Sequence, residues 1–252
     1  MLKAFGITDQ GKVRSENQDA FRLQLGPADT LLTAVLCDGM GGARAGKLAS
    51  GMAADAFMSH AANSLDESSS LTDMKAILSE AVSFANAQVY EHALQELSCL
   101  GMGTTMVGLL IAGKRAVVAN VGDSRAYLLS RGKLRQITTD HSLVQEMVER
   151  GQITAEEART HPRRNVITRA VGTEASIKAD LVEVRFTPSC RLLLCSDGLS
   201  NCVPDAELQR VLREVPEPEE ACRTLLTMAL DAGARDNVTV LIAQPGSEAK
   251  HG

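Results

Sequence analysis

Several aspartates in this chain stand where an apolar run gives out. The run 31–37 leads into Asp38-Gly39-Met40-Gly41-Gly42, 192–195 into Ser196-Asp197-Gly198, and 116–121 into Gly122-Asp123-Ser124. Asp236-Asn237 immediately precedes the run 238–243, and Asp19 stands before a stretch with strand-like alternation. Short runs rich in Val, Leu and Ile between turn residues read as strands. The carboxylates are therefore expected at strand ends, with Asp38 and Asp197 in Asp-Gly turns where a backbone without Cβ can approach a ligand closely. Any one of these is an ordinary turn. Together they are different, because like charges gathered at one edge of a sheet cost on the order of several kcal/mol per ion unless something neutralises them. A cation does so, and an all-oxygen donor set selects Mg²⁺ or Mn²⁺ over zinc. No Cys-x-x-Cys pair and no Cys/His cluster with zinc spacing competes for that role.

The elements that must position these carboxylates follow from periodicity. Strands are expected at 31–37, 105–112, 116–121, 126–129, 181–186, 192–195 and 238–243, with glycine-bearing hairpin turns at 112–115 and 130–133. Helical spacing of apolar residues marks 43–60, 73–97 with Thr72 as N-cap, 217–232, and a shorter pair, 143–149 and 155–160, split at Gly151. Strands that pair with sequence neighbours, together with long amphipathic helices, predict a β-sandwich covered by helices. No repeat and no long linker interrupts 1–245, which reads as one domain, with 246–252 as a flexible tail.

Composition narrows the function. With 252 residues, 44% hydrophobic and 23% charged, the chain has the material for a large core. A net charge of −5 without a Lys/Arg run argues against nucleic acid as the main partner, and 3% aromatic residues leave little for base stacking. The cysteines read as reduced core thiols. No apolar stretch is long enough to span a bilayer and the N-terminus has no signal-peptide pattern, so a soluble cytoplasmic protein is expected.

Arg14-x-x-Asn17-Gln18-Asp19, Asp38-Gly39-Met40-Gly41-Gly42, Met102-Gly103-Thr104-Thr105, Val121-Gly122-Asp123-Ser124-Arg125, Asp140-His141-Ser142, Ile167-Thr168-Arg169-Ala170, Ser196-Asp197-Gly198 and Arg235-Asp236-Asn237 occur in that order. In this the chain resembles the metal-dependent protein phosphatase family (PPM, type 2C), in its short bacterial form. The resemblance runs from about Arg14 to Val240. It implies an α+β fold with α-β-β-α layers, two antiparallel sheets flanked by helices, and two Mn²⁺ or Mg²⁺ ions in a core site. It further implies that Asp38 bridges both metals, Gly39 offers its carbonyl oxygen to one, and Asp197 and Asp236 complete the first shell. Asp19 would act through a metal-bound water, and Asp123 with Asp197 would hold a third ion. Arg14 would hold the substrate phosphate, its planar guanidinium suited to two oxygens at once. The implied activity is hydrolysis of phosphoserine and phosphothreonine in proteins by a metal-activated water, opposing Ser/Thr kinases, with 142–165 as the flap beside the site. No large apolar interface can be read from the pattern, so a monomer is expected.

Some residues depart from the better-known eukaryotic pattern. Gln18 and Lys47 each replace a Glu, and Met40 replaces a His proposed to protonate the leaving group. His141 and His161 lie in the flap region, where each could donate that proton or simply cap a loop as an exposed side chain. Arg163 and Arg164 could meet acidic or phosphorylated substrate. Two other readings stand beside the enzyme: a non-catalytic metal- or phosphopeptide-binding module, and a P-loop suggested by Gly41-x-x-x-x-Gly46-Lys47. Leu48, which has no hydroxyl for Mg²⁺, and the antiparallel strand pattern oppose the P-loop.

Overall fold

A computed structural model describes residues 1–246, apart from the side chains of Ala43 and Arg44. The strands are β1 (Leu2–Asp9), β2 (Asp19–Leu25), β3 (Leu31–Met40), β4 (Gly103–Thr104), β5 (Met106–Ala112), β6 (Arg115–Val121), β7 (Arg125–Ser130), β8 (Lys133–Gln136), β9 (Asp180–Arg185), β10 (Arg191–Cys195) and β11 (Val238–Pro245). Among the described residues they form two antiparallel sheets, one ordered β1-β11-β10-β7-β8 and the other β2-β3-β5-β6-β9, with β4 extending the end of β3. The helices are α1 (Ala43–Ser64), α2 (Leu71–Gln95), α3 (Leu143–Glu149), α4 (Ala155–Thr160), α5 (Asp197–Ser200), α6 (Asp205–Glu214) and α7 (Pro218–Asp231).

Strand alternation builds the layers. On β3, Ala34 and Leu36 join the core between the sheets, while Val35 and Cys37 join the core beneath α1 and α2. On β10, Leu192 and Leu194 point between the sheets, and Leu193 and Cys195 pack under α6 and α7. Each fully buried Leu or Val among these contributes about 1.5–3 kcal/mol, so α-β-β-α stacking is what lets both faces of each sheet be apolar. Gly108 on β5 leaves space for Phe57 of α1, since a Cβ there would stand 2.7 Å from its ring. The hairpins at Gly113 and Arg131-Gly132 take the positive φ angles that two-residue connections need. The cysteines are free, and Cys37 and Cys195 are buried in strands.

The structure also departs from the sequence reading. Strand β3 does not stop at residue 37 but runs to Met40, because Gly39 and Met40 pair with Thr104 and Gly103 of β4. Asp38-Gly39 is thus a strand segment, not a turn. The N-cap of α2 is Ser70, not Thr72: the Ser70 hydroxyl accepts from Asp73 N and the Asp73 carboxylate accepts from Ser70 N, a reciprocal capping box. Strands β1 and β8 and helix α6 add to the expected elements. Gly246, read as the start of the tail, donates to Met1 O at 2.7 Å, and residues 247–252 lie outside the described residues. The P-loop reading falls with the topology, since β3 lies antiparallel to both β2 and β5. Gly46 has a packing reason instead. A Cβ there would stand 2.9 Å from both the Gly39 carbonyl and Gln18 Oε1, so only glycine lets α1 rest on the end of β3.

Candidate metal centre

Sheet register brings the first two carboxylates together. Asp19 on β2 lies directly opposite Asp38 on β3, so like-charged side chains share one end of the sandwich. Threonines hold the Asp38 backbone: Thr105 Oγ1 accepts from Asp38 N at 3.0 Å, and Thr104 Oγ1 and Thr105 N donate to Asp38 O, both at 2.9 Å. Thr105 Oγ1 also meets Ser124 Oγ at 2.8 Å, which ties Asp38 to the turn carrying Asp123. That turn needs Gly122 at φ 103, where a Cβ would collide with Thr105.

The other sheet supplies Asp197 and Asp236 next to each other. Asp197 opens α5 at the end of β10, and Asp236 precedes β11, the neighbour of β10. A Cβ on Gly198 would stand 2.0 Å from Asn237 O, so the glycine after Asp197 is what permits this approach. Asn237 in turn pins the loop that carries Arg14. Its Oδ1 accepts from Gln18 N, and its Nδ2 donates to Gln10 O and Glu16 O, all within 2.8–2.9 Å. Arg14 Nη2 then reaches Asp236 Oδ2 at 2.7 Å, which places the guanidinium at the rim of the cluster. Asp236 holds that guanidinium's pKa above its ordinary value, so the group stays a cation.

The electrostatics show what the cluster is suited to hold. Burial first, then the charges of Asp123, Asp236 and Asp19, pushes the Asp197 carboxyl up to about 8. Burial raises Asp19 to about 6 against the hydroxyls of Thr239 and Ser196, which lower it. Burial with Asp140 nearby raises Asp123 to about 6. Asp38 is raised well above the carboxylate range by burial and by Asp19, Asp197 and Asp123. Among the described residues, Asp19 Oδ1 and Asp197 Oδ1 are buried without a hydrogen-bond partner. Orphaned carboxylate oxygens among mutually repelling carboxylates fit a hard divalent cation. Among the described residues no group of three or more His, Cys, Asp or Glu side chains is placed to hold a metal ion. Mg²⁺-type sites do not require one, since such ions keep several waters and take one or two carboxylates each.

Two of the departures from the eukaryotic pattern, Gln18 and Met40, make contacts in the structure. Gln18 Nε2 donates to Gly42 O at 2.9 Å and so fastens the glycine turn before α1. Met40 has no proton to give, and its Cε lies over Gly103. His141 is not the exposed loop-capping residue that its sequence suggested but is buried at 7% exposure, with Nδ1 accepting from Gly122 N and Nε2 on Asp180. His161 caps its own turn by accepting from Arg163 N. The flap helices α3 and α4 are closed at their base by Leu143 N to Val166 O and Thr168 N to His141 O. Between them and the cluster lies a cavity of about 460 Å³ that Asp123, Asp197, Arg125, Asp140 and Arg159 help to line. Sequence reasoning missed Asn237 and Ser196 as working residues. Their position beside Asp236 and Asp197 was the available signal.

The model of the family "Protein phosphatase 2C" matches residues 29–238. The chain is 38% identical over 237 residues to the serine/threonine phosphatase stp of Listeria innocua, spanning 94% of this chain and 93% of that protein. Its fold matches the crystal structure of the serine/threonine phosphatase Stp1 from Staphylococcus aureus with TM-score 0.90 and 39% identity, covering 98% of this chain and 96% of that one. The catalytic domain of the serine/threonine protein phosphatase PstP, in complex with two manganese ions, matches with TM-score 0.82 and 35% identity over 96% and 97% of the two chains. With its carboxylates gathered at one end of two helix-covered antiparallel sheets, and with these matches along nearly its whole length, the chain belongs to the protein phosphatase 2C family.

Proposed function

We propose that this chain is a metal-dependent protein serine/threonine phosphatase that hydrolyses phosphoserine and phosphothreonine in proteins and opposes bacterial Ser/Thr kinases. The observation that carries this is the carboxylate cluster with orphaned buried oxygens and a fixed arginine at its rim. Asp38, the Gly39 carbonyl, Asp197 and Asp236 would hold two Mn²⁺ or Mg²⁺ ions, with Asp19 serving them through water and Asp123 with Asp197 holding a third. When bound, divalent ions supply a water activated as nucleophile and neutralise charge on the phosphoryl oxygens.

The chain's own residues supply position. Arg14 takes phosphate oxygens in a geometry that lysine cannot reproduce. The Asn237 clamp fixes the Arg14 loop, and Thr104 and Thr105 fix Asp38, so neither has to be ordered on substrate arrival. Residues 1–245 form a single catalytic domain in this reading, and the flap at 142–165 presents Arg163 and Arg164 to the polypeptide around the phosphoresidue. The protein acts as a cytoplasmic monomer; among the described residues no helix is long and apolar enough to cross a membrane. A purely binding role is less well supported, because Arg14, Asp19, Asp38, Asp123, Asp197 and Asp236 are all present.

The test is hydrolysis of p-nitrophenyl phosphate and of a phosphothreonine peptide with Mn²⁺, with Mg²⁺ and with EDTA. Metal-dependent turnover of both, abolished by Asp38→Ala, is the expected result. Absence of turnover with either metal in folded protein would leave the binding module as the better account.

A further inference from the structure

Asp19 sits in a closed ring of hydrogen bonds whose polarity the donors themselves determine. Thr8 on β1 lies directly opposite Thr239 on β11, and their hydroxyl oxygens are 2.7 Å apart. Thr239 Oγ1 is also 2.6 Å from Asp19 Oδ2. A carboxylate can only accept, and a hydroxyl has a single proton. The Thr239 proton therefore goes to Asp19, and Thr8 must donate to Thr239. Thr8 Oγ1 is in turn the acceptor for Asn17 Nδ2 at 2.9 Å. The Asn17 amide cannot be flipped, because its Oδ1 accepts from Asp19 N at 3.1 Å. The ring thus runs from Asp19 N–H through Asn17, Thr8 and Thr239 back to the Asp19 carboxylate, each donor feeding the next. Head-to-tail bonds of this kind polarise one another.

From this geometry we infer that Thr8 is a positioning residue for the metal centre, acting on Asp19 through Thr239. The inference rests on Asp19 serving the metal. Thr239 and Ser196, the latter at 2.7 Å, both occupy Oδ2, which leaves Oδ1 as the oxygen with no partner among the described residues. The ring therefore selects which carboxylate oxygen is presented. It also spans both sheets, with Thr8 and Thr239 on one and Asp19 on the other. Thr8 itself is one side chain removed from the carboxylate: it reaches Oδ2 by way of the Thr239 hydroxyl, and its other bond leads through Asn17 to the Asp19 backbone N–H.

The test is a double-mutant cycle read by calorimetric titration of Mn²⁺ into metal-free protein. Thr239→Val is expected to weaken Mn²⁺ binding about tenfold or more, as loss of a partner of a metal-site carboxylate does. Thr8→Val is expected to weaken it about three- to tenfold, the reach of one hydrogen bond, and Thr8→Ser to bind within about twofold of wild type. In the Thr239→Val background, Thr8→Val should add less than about twofold, because the link it acts through is already gone. Wild-type affinity in Thr8→Val, or full multiplication of the two losses in the double variant, overturns the inference. If Thr8→Val melts too early in EDTA to titrate, Thr8→Ala carries the same comparison. Asp19→Asn separates the two levels. If it binds Mn²⁺ like wild type, the assignment of Asp19 fails and the ring's role with it; if it binds weakly while Thr8→Val does not, only the role of Thr8 fails.

Discussion

On the side of Asp38 and Asp236, the backbone is pinned from several directions: threonines hold both polar groups of the Asp38 peptide, and Asn237 staples the Arg14 loop. Across the cavity, the wall facing Asp123 and Asp197 is made by α3 and α4, of which α3 buries only Val144 and α4 buries no residue. Capping bonds from Ser142 and Thr154 hold these helices locally, but little apolar surface holds them to the body. Segments with few buried contacts open at low cost. The difference separates two tasks. Groups placed for chemistry stand on strands or on segments pinned to strand ends, whereas the flap, proposed to meet the polypeptide, is a weakly packed excursion.

The largest effect should come from the pinned side. Asp38→Asn is expected to lower kcat/KM with Mn²⁺ at least about a thousandfold, roughly 4 kcal/mol of transition-state stabilisation, while the metal-free protein melts no earlier than wild type. A variant that lost activity only because it unfolded in EDTA would break the claim that this side is built for chemistry rather than for stability. Arg14→Lys keeps the charge but not the fork, and is expected to cost about ten- to a hundredfold in kcat/KM. Equal activity of the two forms would mean that Arg14 acts as a plain charge.

A pH measurement sharpens the same contrast without mutation. The Asp197 carboxyl, raised by burial and by Asp123, from 3.8 to about 8, keeps its proton in the folded metal-free protein over a range where the unfolded chain has released it. Stability from this source is complete below about pH 4 and is lost as pH rises through about 8. The melting temperature in EDTA should therefore fall between about pH 5 and about pH 8, and the gain on adding Mn²⁺ should grow over the same window. A melting curve in EDTA that rises over that window would contradict the assigned environment. The smallest effect belongs to the flap: replacing Arg163 and Arg164 by Ala should leave p-nitrophenyl phosphate turnover unchanged and slow an acidic phosphopeptide about two- to fivefold.

Much of this contrast could be read in the sequence, for identifiable reasons. The flap helices fall at the expected residues because Ser142 and Thr154 are N-caps ahead of short periodic runs. The carboxylates were legible because each stands beside an apolar run. What was not legible depended on partners distant in the chain. Asp-Gly is a strong turn signal, and it is the pairing of Asp38 with Asp19 on β2 and of Gly39 with Thr104 on the two-residue β4 that makes this segment strand. Strand β1 was obscured by Gly6, whose missing side chain accommodates the Phe21 ring. The burial of His141 follows from Gly122 and Asp180, neither of which its own neighbours reveal. Helix α6 is the exception, since Leu208, Val211 and Leu212 have helical spacing directly after Pro204.

Strand β11 lies between β1 and β10, so an interior strand of one sheet is synthesised after the other described strands. Until residues 236–245 emerge from the ribosome, β1 has no partner on that side and β10 presents a bare edge. Asp236, Asn237 and Thr239 are missing from the site at the same time. Pairings between such distant segments form slowly, and the waiting intermediate exposes strand edges that other nascent chains can join. The same insertion that completes the sheet also delivers these residues to the candidate site, so a chain made only up to β10 has not assembled it.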